Sequence, residues 1–457
     1  MEIVLFIIVR MPDSMIEPAR TIPLITEADV CVLGGSCTGV FAAIRAAQTG
    51  ARVVLVEKAG CFGGVATLSL VNVWHSLFDE VFERKIIGGL SEVLMDRLRQ
   101  RKAVKERARS PDWQFAFNPA EMQIELDALI LEAGVEPMLH TVFSAPWLEQ
   151  ERLAGVIVEN KDGRGLIKAR YFIDATGDGD LCHRLGHPTY VSERFQPSTT
   201  CALFEGWPPA FKETLSKLLR KHRETYGLPH GFAWGATVPD TQLFMLAGTR
   251  VAGLDCSTAT GLTRAEMEGR RQVRAIQDLI REQAPDESIS LVGLPARIGI
   301  RETRHVRCRH RLTGDDVLYG RRFDDAIANG SYRVDIHHVD RPGITLRYLD
   351  GREAYVCPGE PVQHARWRVA EKVMPTFYQI PYRCLLPGSQ PNLLLAGRMI
   401  DADPQAHGAI RVMINMNQTG EAAGVAAALA CRDDSDVRRL DPSTVRRALS
   451  EGGSVII

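Results

Sequence analysis

The stretch that most constrains the fold runs from Val30 to Glu57. Val30-Cys31-Val32-Leu33 is a short, unbroken apolar run that ends in Gly34-Gly35-Ser36-Cys37-Thr38-Gly39, and an alanine-rich stretch from Val40 to Thr49 follows. Gly50 stops that stretch, and Arg52-Val53-Val54-Leu55-Val56 leads to Glu57. Short apolar runs bounded by turn residues suit strands buried on both faces, and a helix between them makes the pair parallel. The segment predicts strand, glycine turn, helix, strand and acid, which is the first βαβ unit of an α/β sheet.

Ser36 stands where the G-x-G-x-x-G turn has its second glycine. That glycine lets the backbone approach a pyrophosphate, a role a small serine still permits. Glu57, 23 residues after Gly34, sits where an acid accepts from ribose hydroxyls. The combination predicts dinucleotide binding; the competing reading is a tight strand-to-helix turn that holds no ligand. Behind the acid comes a second glycine-rich stretch, Lys58 to Thr67, where NAD-binding chains carry nothing comparable.

Further along, Asn118 to Gly134 predicts a helix with Asn118 as N-cap, Pro119 at N1 and Glu121 completing a capping box. Residues 137–143, 156–159 and 166–173 read as strands, the last closing on Asp174-Ala175-Thr176-Gly177-Asp178-Gly179-Asp180. Residues 186–384 are richer in Pro, Arg and aromatic residues, with helices near 209–224 and 263–283, the second opened by a Thr263/Glu266 capping box. The sheet signature resumes at Leu393-Leu394-Leu395-Ala396-Gly397-Arg398. The expected organisation is an N-terminal extension (1–24, with Met11 or Met15 as alternative starts), one dinucleotide-binding domain in two pieces (25–185 and 385–457), and a substrate or cap domain (186–384).

Composition narrows the partners. Lys plus Arg (55) balance Asp plus Glu (56), so no long-range positive field draws the chain to nucleic acid. Small molecules and other protein surfaces are the expected partners, and a homo-oligomer stays open. Ten cysteines include no C-x-x-C, so neither a zinc ribbon nor an iron-sulfur ligand set is written here, and no metal is expected. The run Ile3 to Val9 is seven residues, short of the ~20 that cross a bilayer. With Glu2 where a basic n-region belongs, it makes no signal peptide. The expected compartment is the cytoplasm, with no membrane insertion.

Four blocks together identify a known pattern: the Gly34 to Gly39 turn with Glu57, the Gly63-Gly64-Val65-Ala66-Thr67 loop, "DATGDGD" at 174–180, and "LLLAGR...HGAIR...GEAAGVAAAL" from 393. The chain is similar to the glutathione-reductase-type flavoproteins. Within them it resembles the broad FAD-dependent oxidoreductase family, similar to the flavin subunit of heterodisulfide reductase, from about Pro23 to Ala430. The resemblance implies an α/β, Rossmann-like FAD-binding domain of glutathione-reductase type, discontinuous in sequence, with an inserted α+β substrate domain. It places Gly34, Gly35, Ser36 and Gly39, with Cys37 and Thr38 in the same turn, at the FAD pyrophosphate, and Glu57 with Lys58 at the adenosine ribose. Gly63, Gly64, Ala66 and Thr67 of the second loop, Val142, and Ala175, Thr176, Gly177 and Asp178 join the cofactor set. Gly397, Arg398 and a helix beginning near Thr419-Gly420 would cradle the isoalloxazine, where a helix N-terminus stabilises a reduced, anionic flavin. Ser36, Cys37 and Cys61 depart from the family pattern, and no second cysteine near Cys61 supports a disulfide relay.

Catalytic candidates follow from chemistry. His407, ten residues after Gly397, has the ordinary pKa near 6.5 of a general acid/base; the alternative is a structural or cofactor-bonding histidine. Arg411 suits an anionic substrate or a flavin carbonyl, or else a helix-end ion pair. Arg301 and Arg304 flank Glu302 as a carboxylate clamp, whereas Arg307, Arg309 and Arg311 alternate like the wet face of a strand. His337, His338, Tyr378 and Tyr382 are substrate-domain contacts, and adjacent histidines on a strand point apart and make no metal site.

The function expected is an FAD-dependent dehydrogenase or oxidase, with a small-molecule substrate giving hydride to flavin N5. No second G-x-G-x-x-G appears, so electrons leave to oxygen, a quinone or a protein carrier. The alternatives are a non-redox lyase or isomerase, or an electron-transfer subunit of a larger complex.

Overall fold

The computed structural model describes residues 17–110, 114–231, 233–357, 360–388 and 390–457. Most of the expected N-terminal extension, including Met11, Met15 and the run Ile3 to Val9, lies outside the described residues.

The predicted βαβ unit forms as β1 (Leu24–Leu33), α1 (Cys37–Gln48) and β2 (Val53–Val56). Val30 to Leu33 and Val53 to Val56 are buried on both faces, as their unbroken apolar runs require. β1 starts six residues before the apolar run that opens at Val30, because the exposed Leu24 and half-buried Thr26 pair with Leu166 and Ile167. β2 pairs in parallel with β1 on one side and with the short strand Glu136–Met138 on the other. β3 (Gly163–Asp174) runs parallel to the other edge of β1. Its far edge is shared: the first half pairs antiparallel with the strand Arg152–Asn160, and Phe172 to Asp174 pair in parallel with β4 (Leu393–Leu395). Residues separated by more than two hundred positions thus complete one mixed α/β, Rossmann-like sheet.

Two helices come directly after β4, ahead of a third at Pro442–Glu451. The short α2 (Pro404–Ile410) is capped by Asp403, whose side chain accepts from the Gln405 and Ala406 N–H groups. The long α3 (Met413–Arg432) crosses α1 with little room between them. A Cβ at Gly420 would sit 2.0 Å from the Thr38 carbonyl oxygen, and one at Gly424 2.1 Å from that of Ala42. The small residues of α3 therefore serve helix-to-helix approach. The sequence expectation that this helix begins near Thr419-Gly420 is corrected: both residues are buried in its middle, and its first turn is at Met413. Across the same interface Arg45 and Glu421 form a buried ion pair at 2.7 Å, and Glu421 also accepts from Leu90 N–H.

Two capping boxes predicted from sequence do not form. Asn118 caps its helix through Ala120 N–H, but its own N–H is taken by the Ala103 carbonyl, leaving nothing for Glu121 to accept. The long helix in the middle of the chain begins at Ala259 under Thr258, so Thr263 lies inside it and bonds back to the Ala259 carbonyl, while Glu266 accepts from Ile298 N–H.

Residues 202–293 build a four-stranded antiparallel sheet with its own core of Ala202, Phe204, Leu246, Val273 and Ile276. By contrast Leu312, Val317, Ile327, Tyr378 and Ile380 share the core of the main sheet. The span 186–384 is thus divided between two cores. Among the described residues no helix is long and apolar enough to cross a membrane.

Candidate functional site

A cleft partly open to solvent lies at the carboxyl ends of β1, β2 and β3. This is where parallel sheets bind ligands, because strand-to-helix loops converge there. Gly34, with φ +102°, ends β1; a Cβ on it would stand 2.3 Å from the Ala175 carbonyl oxygen. Ser36 takes the N-cap position of α1 without a side-chain cap, so the first N–H groups of that helix stay available to an anion. Glu57 is buried, and its two oxygens accept from Gly35 N–H at 2.6 Å and Ala59 N–H at 2.8 Å, which fixes the carboxylate at the end of β2.

On the opposite wall the Asp174 to Asp180 loop meets the residues after β4. Asp178 is buried, paired with Arg398 at 2.6 Å and accepting from the Thr303 hydroxyl at 2.7 Å, with Arg297 at 3.7 Å. Burial raises its carboxyl, but the Arg398 and Arg297 guanidinium groups outweigh burial and hold it below the ordinary range. Arg398 lies over Gly177, where a Cβ would come within 2.2 Å of Nη1, and its buried Nε has no acceptor.

The expected cofactor residues divide by placement. Gly34, Ser36, Glu57, Lys58 and Gly64 line the cleft, as do Val142, Ala175, Thr176, Gly177 and Arg398. Cys37, Thr38, Ala66 and Thr67 are buried around it; Thr67 bonds the Phe62 carbonyl and Cys37 the Gly63 carbonyl. Gly35 and Gly39 give close approach, Gly35 to Phe62 and Gly39 to the Gly34 carbonyl. Thr419 reaches Gly397 N–H at 3.2 Å from inside α3, a supporting contact, and Gly420 packs on α1. Residues that were not singled out also line the cleft, notably Leu68, Ser69 and Phe143. Leu68 and Ser69 arrive from an irregular segment that nothing in the local sequence marks, whereas Phe143 lies in the strand Val142–Glu149. Cys61 is raised by burial above its ordinary thiol range, and no described cysteine is disulfide-bonded.

A second polar region forms around α2 and the start of α3. His407 is fully buried with neither ring nitrogen partnered. Burial pushes its imidazole down to about 3 although Glu302 pulls the other way, so it is neutral at physiological pH. That corrects the expectation of a titration near 6.5. Glu302 lies 3.8 Å from His407 Nδ1 and accepts from Ser192 Oγ at 2.6 Å and Gln196 N–H at 2.8 Å. Burial opposes its ionisation, yet the hydrogen bonds of the His305 ring and the Ser192 hydroxyl keep its carboxyl below the ordinary range.

His305 completes a group of three metal-type donors that the sequence reading, which expected no metal, did not foresee. Its Nδ1 faces the Ile400 carbonyl at 3.1 Å and its Nε2 faces Glu302 at 3.1 Å.

Arg411 pairs with Asp335 at 3.1 Å, which also accepts from Tyr332 at 2.8 Å and faces His337 at 3.4 Å. Arg301 donates to the Pro197 carbonyl and Thr199 hydroxyl; burial and then the Arg411 charge lower its guanidinium to about 10. Arg304 serves Asp178 and Asp180 rather than a clamp with Arg301. Tyr382 is displaced from any catalytic role: its ring is buried in the main core and its hydroxyl donates to the Val437 carbonyl at 2.8 Å. Tyr378 is likewise buried, bonded to the Ala409 and Tyr332 carbonyls.

A family model described as FAD dependent oxidoreductase matches residues 29–449. A thiamine thiazole synthase of Aeropyrum pernix is 30% identical over 162 residues, 33% of this chain and 55% of that protein. The mitochondrial dihydrolipoyl dehydrogenase of Schizosaccharomyces pombe is 31% identical over 107 residues, 21% of each chain. The chain thus spans about half the length of the first relative and a fifth of the second. Among solved structures, a geranylgeranyl bacteriochlorophyll reductase-like protein from Thermoplasma acidophilum superposes with TM-score 0.48 at 12% identity, covering 93% of this chain and 83% of that one. The myxobacterial chondrochloren halogenase CndH gives 0.45 at 15% identity, covering 93% and 78%.

Proposed function

The chain belongs to the FAD-dependent oxidoreductase family, and from that premise we propose that it is a dehydrogenase or oxidase that takes hydride from a small-molecule substrate. The observation that carries the cofactor's placement is the cleft itself. Gly34 leaves room for a backbone approach, an uncapped helix start and the unpartnered Arg398 Nε offer donors to a pyrophosphate, and Glu57 offers acceptors to a ribose. These residues fit the dinucleotide half of FAD. Bound FAD supplies an electron-pair acceptor at flavin N5.

The protein's own residues do the rest. Glu57, already fixed by two backbone N–H groups, orients the adenosine end. Asp178 keeps Arg398 over the Gly177 turn. The first turn of α3 has no side-chain cap, so its N–H groups and partial positive charge serve the flavin end. His407, neutral and unpartnered, is assigned to hydrogen-bonding the cofactor or substrate, and Arg411 and Arg398 hold positive charge near it.

We read the fold as the glutathione-reductase type with residues 186–384 inserted as the substrate-facing part, and the compartment as cytoplasmic. With no second G-x-G-x-x-G turn, the oxidised partner is oxygen, a quinone or a protein carrier.

The test is anaerobic bleaching of the purified flavoprotein over a panel of alcohols, amines and hydroxy acids, followed by admission of oxygen. Bleaching with rapid recovery in air identifies an oxidase, and bleaching without it a dehydrogenase. A flavin that no candidate reduces points to the non-redox alternative, and protein purified without a flavin spectrum overturns the cofactor placement.

A further inference from the structure

Glu302, His305 and His407 each place one metal-type donor atom within 4.8 Å of the other two, and all three side chains are buried. None of them lines the FAD cleft. Glu302 stands just before the strand Arg304–Val306 and His305 within it, while His407 lies in the middle of α2.

Two of the three already have the supporting contacts of a metal ligand. His305 Nδ1 lies 3.1 Å from the Ile400 carbonyl, the outer bond that aims the other nitrogen of a ligating imidazole at its ion. The Tyr190 ring stacks on His305 with 5.1 Å between centroids and 16° between planes, which fixes the orientation of the imidazole. Glu302 accepts from Ser192 Oγ on Oε1 and from Gln196 N–H on Oε2. Those bonds hold the carboxylate and still leave acceptor capacity on it, since each oxygen has two lone pairs.

His407 is the member that the protein alone does not satisfy. Glu302 and His305 lie 3.1 Å apart and complete each other as a pair. The His407 ring is set perpendicular to His305 at 4.8 Å, its Nδ1 is 3.8 Å from Glu302 Oε2, and neither nitrogen has a hydrogen-bond partner. Buried nitrogens in that condition are rare, because nothing offsets their loss of water. His407 is neutral through burial and Glu302 is ionised, the forms in which each ligates a cation. The guanidinium groups acting on His407, Arg411 and Arg398, have carboxylates of their own, Asp335 at 3.1 Å and Asp178 at 2.6 Å, so neither draws on Glu302.

We propose that these three residues form a site for a divalent transition-metal ion, with the Glu302 carboxylate, His305 Nε2 and His407 Nδ1 as ligands. Two imidazoles and one carboxylate suit zinc or iron(II). Ligands about 2.1 Å from one tetrahedral ion stand roughly 3.4 Å apart, and the two separations from Glu302, 3.1 and 3.8 Å, fall on either side of that value. A turn of the His407 ring, which no hydrogen bond holds, closes the remaining span. The ion ties α2 to the strand Arg304–Val306 and leaves His407 Nε2 for the hydrogen bond assigned to it above. The site uses no flavin and stands independently of the oxidoreductase reading.

The experiment uses the full chain without an affinity tag, produced in minimal medium supplemented with zinc and, separately, with cobalt as a spectroscopic probe. Metal per chain is measured by mass spectrometry after an EDTA wash that strips surface ions. Wild-type protein should retain about one equivalent of either metal, and the cobalt form should show d–d bands at longer wavelength than the flavin. Glu302→Gln and His407→Gln should each lower retained metal at least about tenfold, the smallest loss expected when a ligand is removed, and abolish the bands. Wild-type protein with neither retained metal nor cobalt bands, or metal retained equally in both variants, would overturn the proposal. If one variant does not fold the other decides, and if neither folds the X-ray absorption spectrum of the cobalt form does: imidazole scattering from two histidines supports the site and its absence removes it. Flavin content is counted on the same samples, so metal-loaded protein without flavin sinks only the oxidoreductase reading and flavin-loaded protein without metal sinks only the metal site.

Discussion

Gly34 and Gly50 have nearly the same backbone, φ +102° and +105°, but opposite surroundings. Nothing lies within 4 Å of a Cβ built on Gly50, whereas one on Gly34 would meet the Ala175 carbonyl oxygen at 2.3 Å and the Thr176 Cα at 2.9 Å. Gly50→Ala therefore measures the cost of the left-handed backbone alone, about 1–2 kcal/mol. Gly34→Ala adds a clash that closes only if the end of β1 and the 175–176 loop part by roughly 1 Å, an overpacking cost of about 1–3 kcal/mol. The expected total for Gly34→Ala, about 2–5 kcal/mol, is a large share of the 5–15 kcal/mol that holds a domain. Urea unfolding of flavin-free protein gives both values. Flavin per chain after dialysis gives the functional consequence, since only Gly34 borders the cleft. Equal destabilisation of the two variants, or full flavin retention in Gly34→Ala, would refute the claim that this turn is shaped by close approach.

Glu57→Gln keeps one acceptor and should loosen FAD about tenfold, whereas Glu57→Ala should strip it, as read by flavin content after dialysis. Glu421→Ala leaves Arg45 buried without its partner and should cost about 3–5 kcal/mol in denaturant unfolding. Tyr382→Phe should lose roughly 1 kcal/mol of stability with unchanged bleaching rate, because its hydroxyl serves only the Val437 carbonyl. Glu80 holds a proton in the folded chain up to about pH 8 that the unfolded chain loses near its ordinary 4.5. The folded state therefore binds more protons between those values, and stability falls as pH rises through them. Glu80→Gln should flatten that slope, and a melting temperature as steep in pH as the wild type would exclude Glu80 as its source.

The βαβ unit was readable because its signals are local. An apolar run, a turn that tolerates only glycine and an acid at the end of a strand each act within a few residues of themselves. The start of α3 was not readable, since Val412 is no capping residue and the buried polar side chains Asn415, Asn417 and Gln418 disguise the first turns of a core helix. Thr263 with Glu266 imitates a helix start whose real cap, Thr258, precedes a glycine at 261. The pairing of Glu302 with His305 has a spacing of three, but its neighbour His407 comes from a hundred residues away, and only packing brings them together. Burial changed the chemistry as well: the histidine that looked like a titrating group is one whose charge the interior excludes.

The divided edge of β3 bears on how the chain is made. During synthesis the strands Leu24–Leu33, Val53–Val56 and Gly163–Asp174 emerge well before Leu393–Leu395, so Phe172 to Asp174 wait with an unpaired edge while more than two hundred further residues are added. At ribosomal rates of ≈ 5–20 residues per second that interval lasts on the order of ten seconds or more. An open apolar strand edge is a template for wrong pairing over that time. The wall of the cleft that Arg398 forms also does not exist until the last strand docks, which makes cofactor capture a late event.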